Sequence, residues 1–364
     1  MPYYSAEYGN ASSIHGYGRK SRLALEESRE RIARFIGANS DELFFTSGGT
    51  ESDNHALYGI ARASKNNRKS TIVTSAVEHH AILDPLDALQ SDGFVARVVK
   101  VDGDAIVNPD DIKRALDDTV SLVSIVHANN EVGTIEPVKE IASICRERGV
   151  ICHTDAVQSV GKIDVDVREL GIDLLSLSAH KLYGPKGIGA IFIKKGTNID
   201  SFMKGGAQES NRRAGTENVP LAVGFAKAVE LCSQQMKTDS SRIGLLKEIL
   251  RKRISQQFDY VLFNGHDTRS LPHVLSVSFD SSKRRIDGEA LIIGLDLHGV
   301  AVTSGSACTS GSLQPSHVLL AMGRDESTAR ATIRFSLGRG TTEEDIDYTA
   351  DVLNEVVERA GKEK

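Results

Sequence analysis

Asp173-Leu174-Leu175-Ser176-Leu177 runs directly into Ser178-Ala179-His180-Lys181 and then into Tyr183-Gly184-Pro185-Lys186-Gly187. An apolar run that ends in a glycine- and proline-bearing turn reads as a buried strand presenting its last side chains at a sheet end. Upstream, Gly149-Val150-Ile151-Cys152-His153 reads as a second strand with Asp155 at its end. An amine and an acid delivered by two strand ends suit pyridoxal 5'-phosphate (PLP). The amine attaches the cofactor covalently, and the acid pairs with the pyridinium nitrogen and keeps the ring an electron sink. Either residue alone reads as a surface lysine or a locally bonded acid; it is the pairing that points to the cofactor.

Around this pair the sequence alternates helical and strand patterns. Leu25, Ile32, Phe35 and Ile36 fall on one helical face that Gly37 ends. Leu43–Thr46, residues 70–74, 121–126 and 189–193 read as further strands. Strands separated by helices imply an α/β fold with a mainly parallel sheet covered by helices. Pro220 to Met236 reads as a helix, and Lys237-Thr238-Asp239-Ser240-Ser241 as a boundary. Beyond it, a helix (243–254), strands (274–279 and 332–337) and further helices make a smaller α+β domain. The expected division is therefore 8–236 for a large cofactor-binding domain and 237–364 for a small one, with residues 1–7 placed to join the small domain.

The chain has 364 residues, 40% hydrophobic and 26% charged, enough for a sizeable core. A net charge of −5 gives no general reason to bind nucleic acid or an anionic membrane. Arg251-Lys252-Arg253 and Lys283-Arg284-Arg285 read as solvated faces. No apolar run is long enough to span a bilayer, and the polar start does not read as a signal peptide. Four cysteines in a chain this long do not form a disulfide framework, and the expected location is a reducing cytoplasm.

Several strand ends carry further chemistry. Ser47-Gly48-Gly49-Thr50-Glu51 lies between a strand and a helix, where converging amides, a helix N-terminus and the Thr50 hydroxyl suit the PLP phosphate. Glycine- and serine-rich helix starts also arise from capping alone. His79, in Glu78-His79-His80-Ala81, can stack on a flat ring and exchange protons, or simply begin a helix. Two adjacent histidines without further ligands at helical spacing leave no expected metal site. Gln158 lies three residues past Asp155, early in an expected helix, within reach of the cofactor's phenolic oxygen. Asn130, in His127-Ala128-Asn129-Asn130-Glu131, and Arg334, opposite the apolar row Ile333, Phe335 and Leu337, suit a substrate carboxylate. Finally, Cys308 sits in Thr303-Ser304-Gly305-Ser306-Ala307-Cys308-Thr309-Ser310-Gly311-Ser312, a small-residue setting unlike that of a structural cysteine. An accessible thiol there suits a nucleophile, and an inert exposed thiol is the plain alternative.

Taken in order, these segments resemble the cysteine desulfurases of the NifS/IscS type, fold type I PLP-dependent transferases of the class-V aminotransferase-like group. The resemblance also runs through Tyr8-Gly9-Asn10-Ala11-Ser12-Ser13-Ile14-His15 and Arg212-Arg213-Ala214-Gly215-Thr216-Glu217-Asn218. It implies that Lys181 carries the cofactor, Asp155 pairs with the ring nitrogen, Gln158 with the phenolic oxygen, and His79 stacks. Gly49, Thr50, Ser178 and His180 hold the phosphate, and Thr216 reaches the phosphate in the other subunit of a homodimer. Asn130 and Arg334 bind the carboxylate of L-cysteine, and Cys308 takes its sulfur as a persulfide. The long Cys308 segment resembles the subgroup that passes sulfur to an iron–sulfur scaffold protein. The family's usual opening strand, of Tyr-Leu-Asp-Asn-Ala-Ala-Thr-Thr type, has no match before Tyr8. Selenocysteine lyase and a non-catalytic PLP-binding scaffold are the alternative expectations; a plain aminotransferase has no use for Cys308.

Overall fold

A computed structural model describes residues 2–65, 69–304 and 314–362. The chain divides into two units, residues 1–99, 109–127 and 137–236 in the first, and 100–108, 128–136 and 237–364 in the second.

In the first unit the order is α1 (Gly16–Phe35), β1 (Leu43–Thr46), α2 (Gly49–Ser64), β2 (Thr71–Ser75), α3 (His80–Ser91), β3 (Val95–Val99), α4 (Pro109–Ala115), β4 (Val120–Val126), α5 (Val138–Glu147), β5 (Ile151–Asp155), α6 (Val167–Leu170), β6 (Leu174–Ser178) and β7 (Gly189–Ile193). Among the described residues these strands form one seven-stranded sheet ordered β1-β7-β6-β5-β4-β2-β3. β7 runs antiparallel to both of its neighbours, and the rest are mutually parallel. The inner strands are buried along their length because helices cover the sheet, which is why they read as unbroken apolar runs. Leu57, Ile60, Ile72, Leu122, Leu174 and Ile191 meet in its core. The sequence reading missed β3, an edge strand whose residues are mostly half-exposed and whose Arg97 breaks the apolar run.

Between β7 and the next helix, Glu209, Ser210 and Asn211 all adopt left-handed backbone, with φ of 46°, 53° and 63°. Three such residues in succession are costly for side chains with a Cβ. The Glu209 carboxylate holds them there. It takes 2.6 and 2.7 Å bonds from Arg29 and a 2.8 Å bond from the Phe45 amide, all buried.

The helix α7 (Val219–Gln257) is continuous. The segment 237–241, expected as a boundary, is where the two units divide, between Met236 and Lys237, and it is helical. Lys237, Thr238 and Ser241 are exposed and Asp239 and Ser240 half-buried, while Met236, Ile243, Leu246 and Leu250 keep the buried stripe in phase across it.

The second unit continues with β8 (Val261–Asn264), β9 (Val274–Phe279), β10 (Arg285–Ile286), α8 (Gly288–Leu297), α9 (His317–Ala321), α10 (Glu326–Arg330), β11 (Thr332–Ser336), α11 (Glu343–Ala360) and β12 (Gly361–Lys362). Its three-stranded sheet, ordered β11-β9-β8, is antiparallel. Its core gathers Ile254, Phe258, Val277, Phe279, Leu291 and Leu353.

The expected division differs from the structure in three segments. Residues 1–7 fall in the first unit. Residues 128–136 fall in the second, because Leu271 N donates to Gly133 O (2.8 Å) and Ile135 N to Arg269 O (2.9 Å). Residues 100–108 follow them, fastened by Val107 N to Glu136 Oε2 at 2.9 Å and Thr134 Oγ1 to Asp104 O at 2.6 Å. No helix among the described residues is long and apolar enough to cross a membrane.

Glu209→Ala removes the anchor of the left-handed turn and leaves the Arg29 guanidinium buried without its partner. Such a loss costs about 3–5 kcal/mol. Denaturant unfolding is expected to show it; a change within the scatter of surface substitutions would refute the anchoring role.

Candidate active site

Asp155 is the last residue of β5 and pairs in register with Ser176 of β6. Two residues past Ser176, β6 ends, and the chain enters a 3-10 turn, Ala179–Leu182, that carries His180 and half-buried Lys181. The two strand ends thus bring the acid and the amine together. Asp155 is 5% exposed, and its Oδ1 accepts from the Val157 amide at 2.9 Å. Burial pushes its carboxyl up to about 6, while the Val157 amide and the Lys181 ammonium pull it back. A buried acid in this condition regains its ionised form when a cation settles against it.

The β1–α2 turn forms a cradle beside them. α2 begins at Gly49, with Gly48 as its N-cap. Ser47, Gly48, Gly49, Thr50, His180 and Lys186 line a recess of about 440 Å³. A Cβ on Gly49 would lie 2.6 Å from Val157 Cγ2, so the turn packs directly against the residue that fixes Asp155. Ser178 Oγ lies 2.9 Å from His180 Nδ1. Desolvation, then Lys181 and Lys186, hold the His180 imidazole below its usual value. Amides at a helix N-terminus, three hydroxyls and nearby lysines are a donor set for a phosphate. Glu51 braces the turn, accepting from the Ser47 amide (2.8 Å) and from Arg213 (2.8 and 3.2 Å).

His79 is the N-cap of α3, its Nδ1 accepting from the Ala81 amide at 3.0 Å. That bond places the proton of the neutral ring on Nε2. Of the two roles weighed from the sequence the structure shows the helix start; the residue also lines a recess of about 410 Å³ together with Thr50.

Behind Asp155 lies a polar group that the sequence reading missed. His153, on the same face of β5, lies 2.9 Å from Ser124 Oγ and 3.0 Å from Ser176 Oγ. Asp53 of α2 sits 3.7 Å from His153 Nε2. Burial holds the Asp53 carboxyl well above its usual value, with the Asp155 charge adding to the rise. Burial also drops His153 to about 3, so its imidazole stays neutral. The available signal was a histidine two residues before an acid on an otherwise apolar strand, where alternation puts both on one face. Glu78 was missed too: its Oε1 accepts from Ser75 Oγ (2.6 Å) and the Val126 amide (3.0 Å), tying the ends of β2 and β4 beside His79.

The remaining expected site residues fall as follows. Gln158 is half-buried on a turn rather than early in a helix, because the chain after β5 makes the turn 157–159. Thr216 is exposed, in a segment fastened by Gly215 N donating to Gln208 Oε1 at 3.1 Å. Asn130 and Arg334 come together within the second unit, where Arg334 Nη1 donates to the Asn130 carbonyl at 2.7 Å. Ile333, Phe335 and Leu337 face the core, leaving Arg334 on the opposite face of β11. Cys308 lies outside the described residues.

A seven-stranded, mostly parallel sheet with an acid, a lysine and an anion cradle at its strand ends defines a cofactor-dependent transferase of the α/β class. The chain belongs to the class-V aminotransferases, whose family pattern matches residues 1–349. It is 48% identical to the Cysteine desulfurase IscS of Dictyoglomus turgidum over 98% of this chain and 90% of that one. It is 42% identical to a mitosomal Cysteine desulfurase of Encephalitozoon cuniculi, over 99% and 82%. Among solved structures it superposes on a NifS-like protein with TM-score 0.91 and 36% identity, covering 98% of this chain and 94% of that one. SspA in complex with cysteine gives 0.82 and 33%, over 93% of each.

These residues fit PLP. The buried Asp155 calls for a cationic partner, and Ser47, Gly48, Gly49, Thr50, His180 and Lys186 line a recess of about 440 Å³ beside it that suits a phosphate.

In the cofactor-free protein Asp155 binds its proton near pH 6 when folded and near pH 4 when unfolded. The fold therefore holds more protons between those values, and stability falls as pH rises through them. Asp155→Asn is expected to remove about 2 kcal/mol of that fall between pH 4 and pH 6.5. Urea unfolding across this range checks it; equal slopes in both proteins would contradict the assignment.

Proposed function

We propose that this protein is a PLP-dependent cysteine desulfurase that converts L-cysteine to L-alanine and holds the released sulfur as a persulfide on Cys308. The observation that carries the reading is the buried Asp155 at one strand end with Lys181 at the next, in a chain 48% identical over nearly its whole length to a cysteine desulfurase.

When bound, PLP supplies a carbonyl carbon for amine attachment and a ring that accepts electrons. Lys181 Nζ would provide the attachment point and would move the proton at the substrate's α-carbon. Asp155 holds the ring nitrogen in its protonated form. Gln158 donates to the phenolic oxygen, and His79 presents its face to the ring. The Gly49 and Thr50 amides, Ser178 and His180 fix the phosphate, with Thr216 acting in the partner protomer of a homodimer. Asn130 and Arg334 orient the substrate carboxylate; the bond from Arg334 Nη1 to the Asn130 carbonyl keeps the guanidinium from swinging.

The sulfur step balances without an added oxidant. The Cys308 thiolate bonds to the substrate sulfur, the Cβ–S bond breaks with its electron pair left on the carbon side, and Cβ takes a proton. Sulfur then passes from Cys308 to an acceptor protein, which we take to be an iron–sulfur scaffold in the cytoplasm.

Lys181→Ala is expected to lose covalently attached cofactor and turnover. Cys308→Ala is expected to keep the cofactor's absorbance and lose at least 100-fold in alanine release from L-cysteine, in line with removal of a nucleophile. Undiminished alanine release from the Cys308 variant would overturn the reading.

A further inference from the structure

The recess assigned to the phosphate is lined by an acid. Glu51, in the first turn of α2, faces it together with Thr50, His180 and Lys186. A carboxylate at that place suits the helix, because a helix N-terminus favours negative charge. It does not suit a recess that is to take a second anion. Glu51 already holds the Ser47 amide at 2.8 Å, and two like charges in one site repel.

Glu51 is nonetheless held in its charged form. Its side chain is 9% exposed. Desolvation opposes ionisation, yet bonds from Arg213 and Ser47 keep its carboxyl below the usual carboxylate value. Arg213 grips both oxygens: Nε donates to Oε1 at 2.8 Å and Nη2 to Oε2 at 3.2 Å, across 162 residues of sequence. A two-pronged pair of this kind fixes direction as well as charge. Glu209 and Glu217 also act on the Arg213 charge. Glu209 is taken up by Arg29, at 2.6 and 2.7 Å, and Arg213 gives its fork to Glu51. The two residues are therefore unequal towards an incoming anion. Loss of Arg213 leaves a bare carboxylate facing it. Loss of the Glu51 charge leaves nothing to neutralise.

We propose that Arg213 is a positioning residue for the cofactor's phosphate, neutralising Glu51 and so keeping the recess at the start of α2 open to an anion. Arg213 acts through Glu51. The proposal rests on that recess being the phosphate site.

The test uses the full chain stripped of cofactor, with three probes: PLP, inorganic phosphate, and pyridoxal, which has the same ring and no phosphate. Affinity for PLP and pyridoxal is read from their absorbance on binding, and for phosphate from the rise in melting temperature it gives. Arg213→Met is expected to weaken PLP and phosphate about tenfold or more and to leave pyridoxal unchanged. Arg213→Lys, which keeps the charge and gives up the fork, stays close to wild type. Arg213→Met/Glu51→Gln recovers most of the loss, because the amide still accepts from Ser47 and carries no charge. Glu51→Gln alone binds phosphate at least as tightly as wild type, which gives a second reading if Arg213→Met does not fold. Unchanged phosphate affinity in Arg213→Met overturns the proposal. So does a double variant as weak as Arg213→Met, an equal loss of pyridoxal, or a weakened Glu51→Gln, each of which assigns the pair to holding the shape of the turn. If the wild type binds PLP no better than pyridoxal and phosphate does not protect it, the assignment of the recess fails instead.

Discussion

A carboxyl group kept from water at the end of a parallel strand is the constraint around which the first unit is arranged. Asp155 sits where β5 stops, and its neighbours are chosen for it: Val157 gives an amide, Ser176 faces it across the ladder, and His153 lies on its own face. Burial makes its ionised form expensive by itself. The cost is recovered when positive charge arrives, in part from Lys181. The neutral state imposed on His153 and the high carboxyl value of Asp53 serve the same end. A raised Asp53 carboxyl lessens the negative charge behind Asp155.

The parallel sheet explains why so much chemistry accumulates in one place. Parallel strands all point their C-terminal ends the same way, and β2, β4, β5 and β6 deliver Glu78, His127, Asp155 and Ser178 at or just past those ends. β1 is parallel to them through β7 and feeds the Gly48-Gly49-Thr50 turn, whose helix offers free amides. This is the crevice that open α/β sheets use for ligands.

How much of this was legible in the sequence followed local chemistry. Unbroken apolar runs such as Leu174–Ser178 and Val120–Val126 announced strands covered on both faces, and the parallel sheet followed. Asp155, Lys181, His79 and Gly49 were legible because each ends or follows such a run. What depended on distant partners was not. The polar run 237–241 marks the division between the units, but that it is helical shows only when its phase is compared with Met236 and Ile243, which lie on one buried stripe. The membership of 128–136 in the second unit depends on backbone bonds to 269–271. The Glu51–Arg213 pair joins residues far apart in the chain, and neither carries a local mark of it.

His79 begins α3, and we propose that it also covers the cofactor; the two duties have different chemical requirements. Beginning α3 needs only an acceptor atom within reach of the Ala81 amide, and a small side chain such as asparagine provides one equally well. Covering a flat cofactor needs an aromatic face, which asparagine lacks. The position can therefore drift in evolution without cost to folding once selection on the reaction is relaxed. A descendant with a polar, non-aromatic residue there would keep the architecture intact and betray lost chemistry at a single codon.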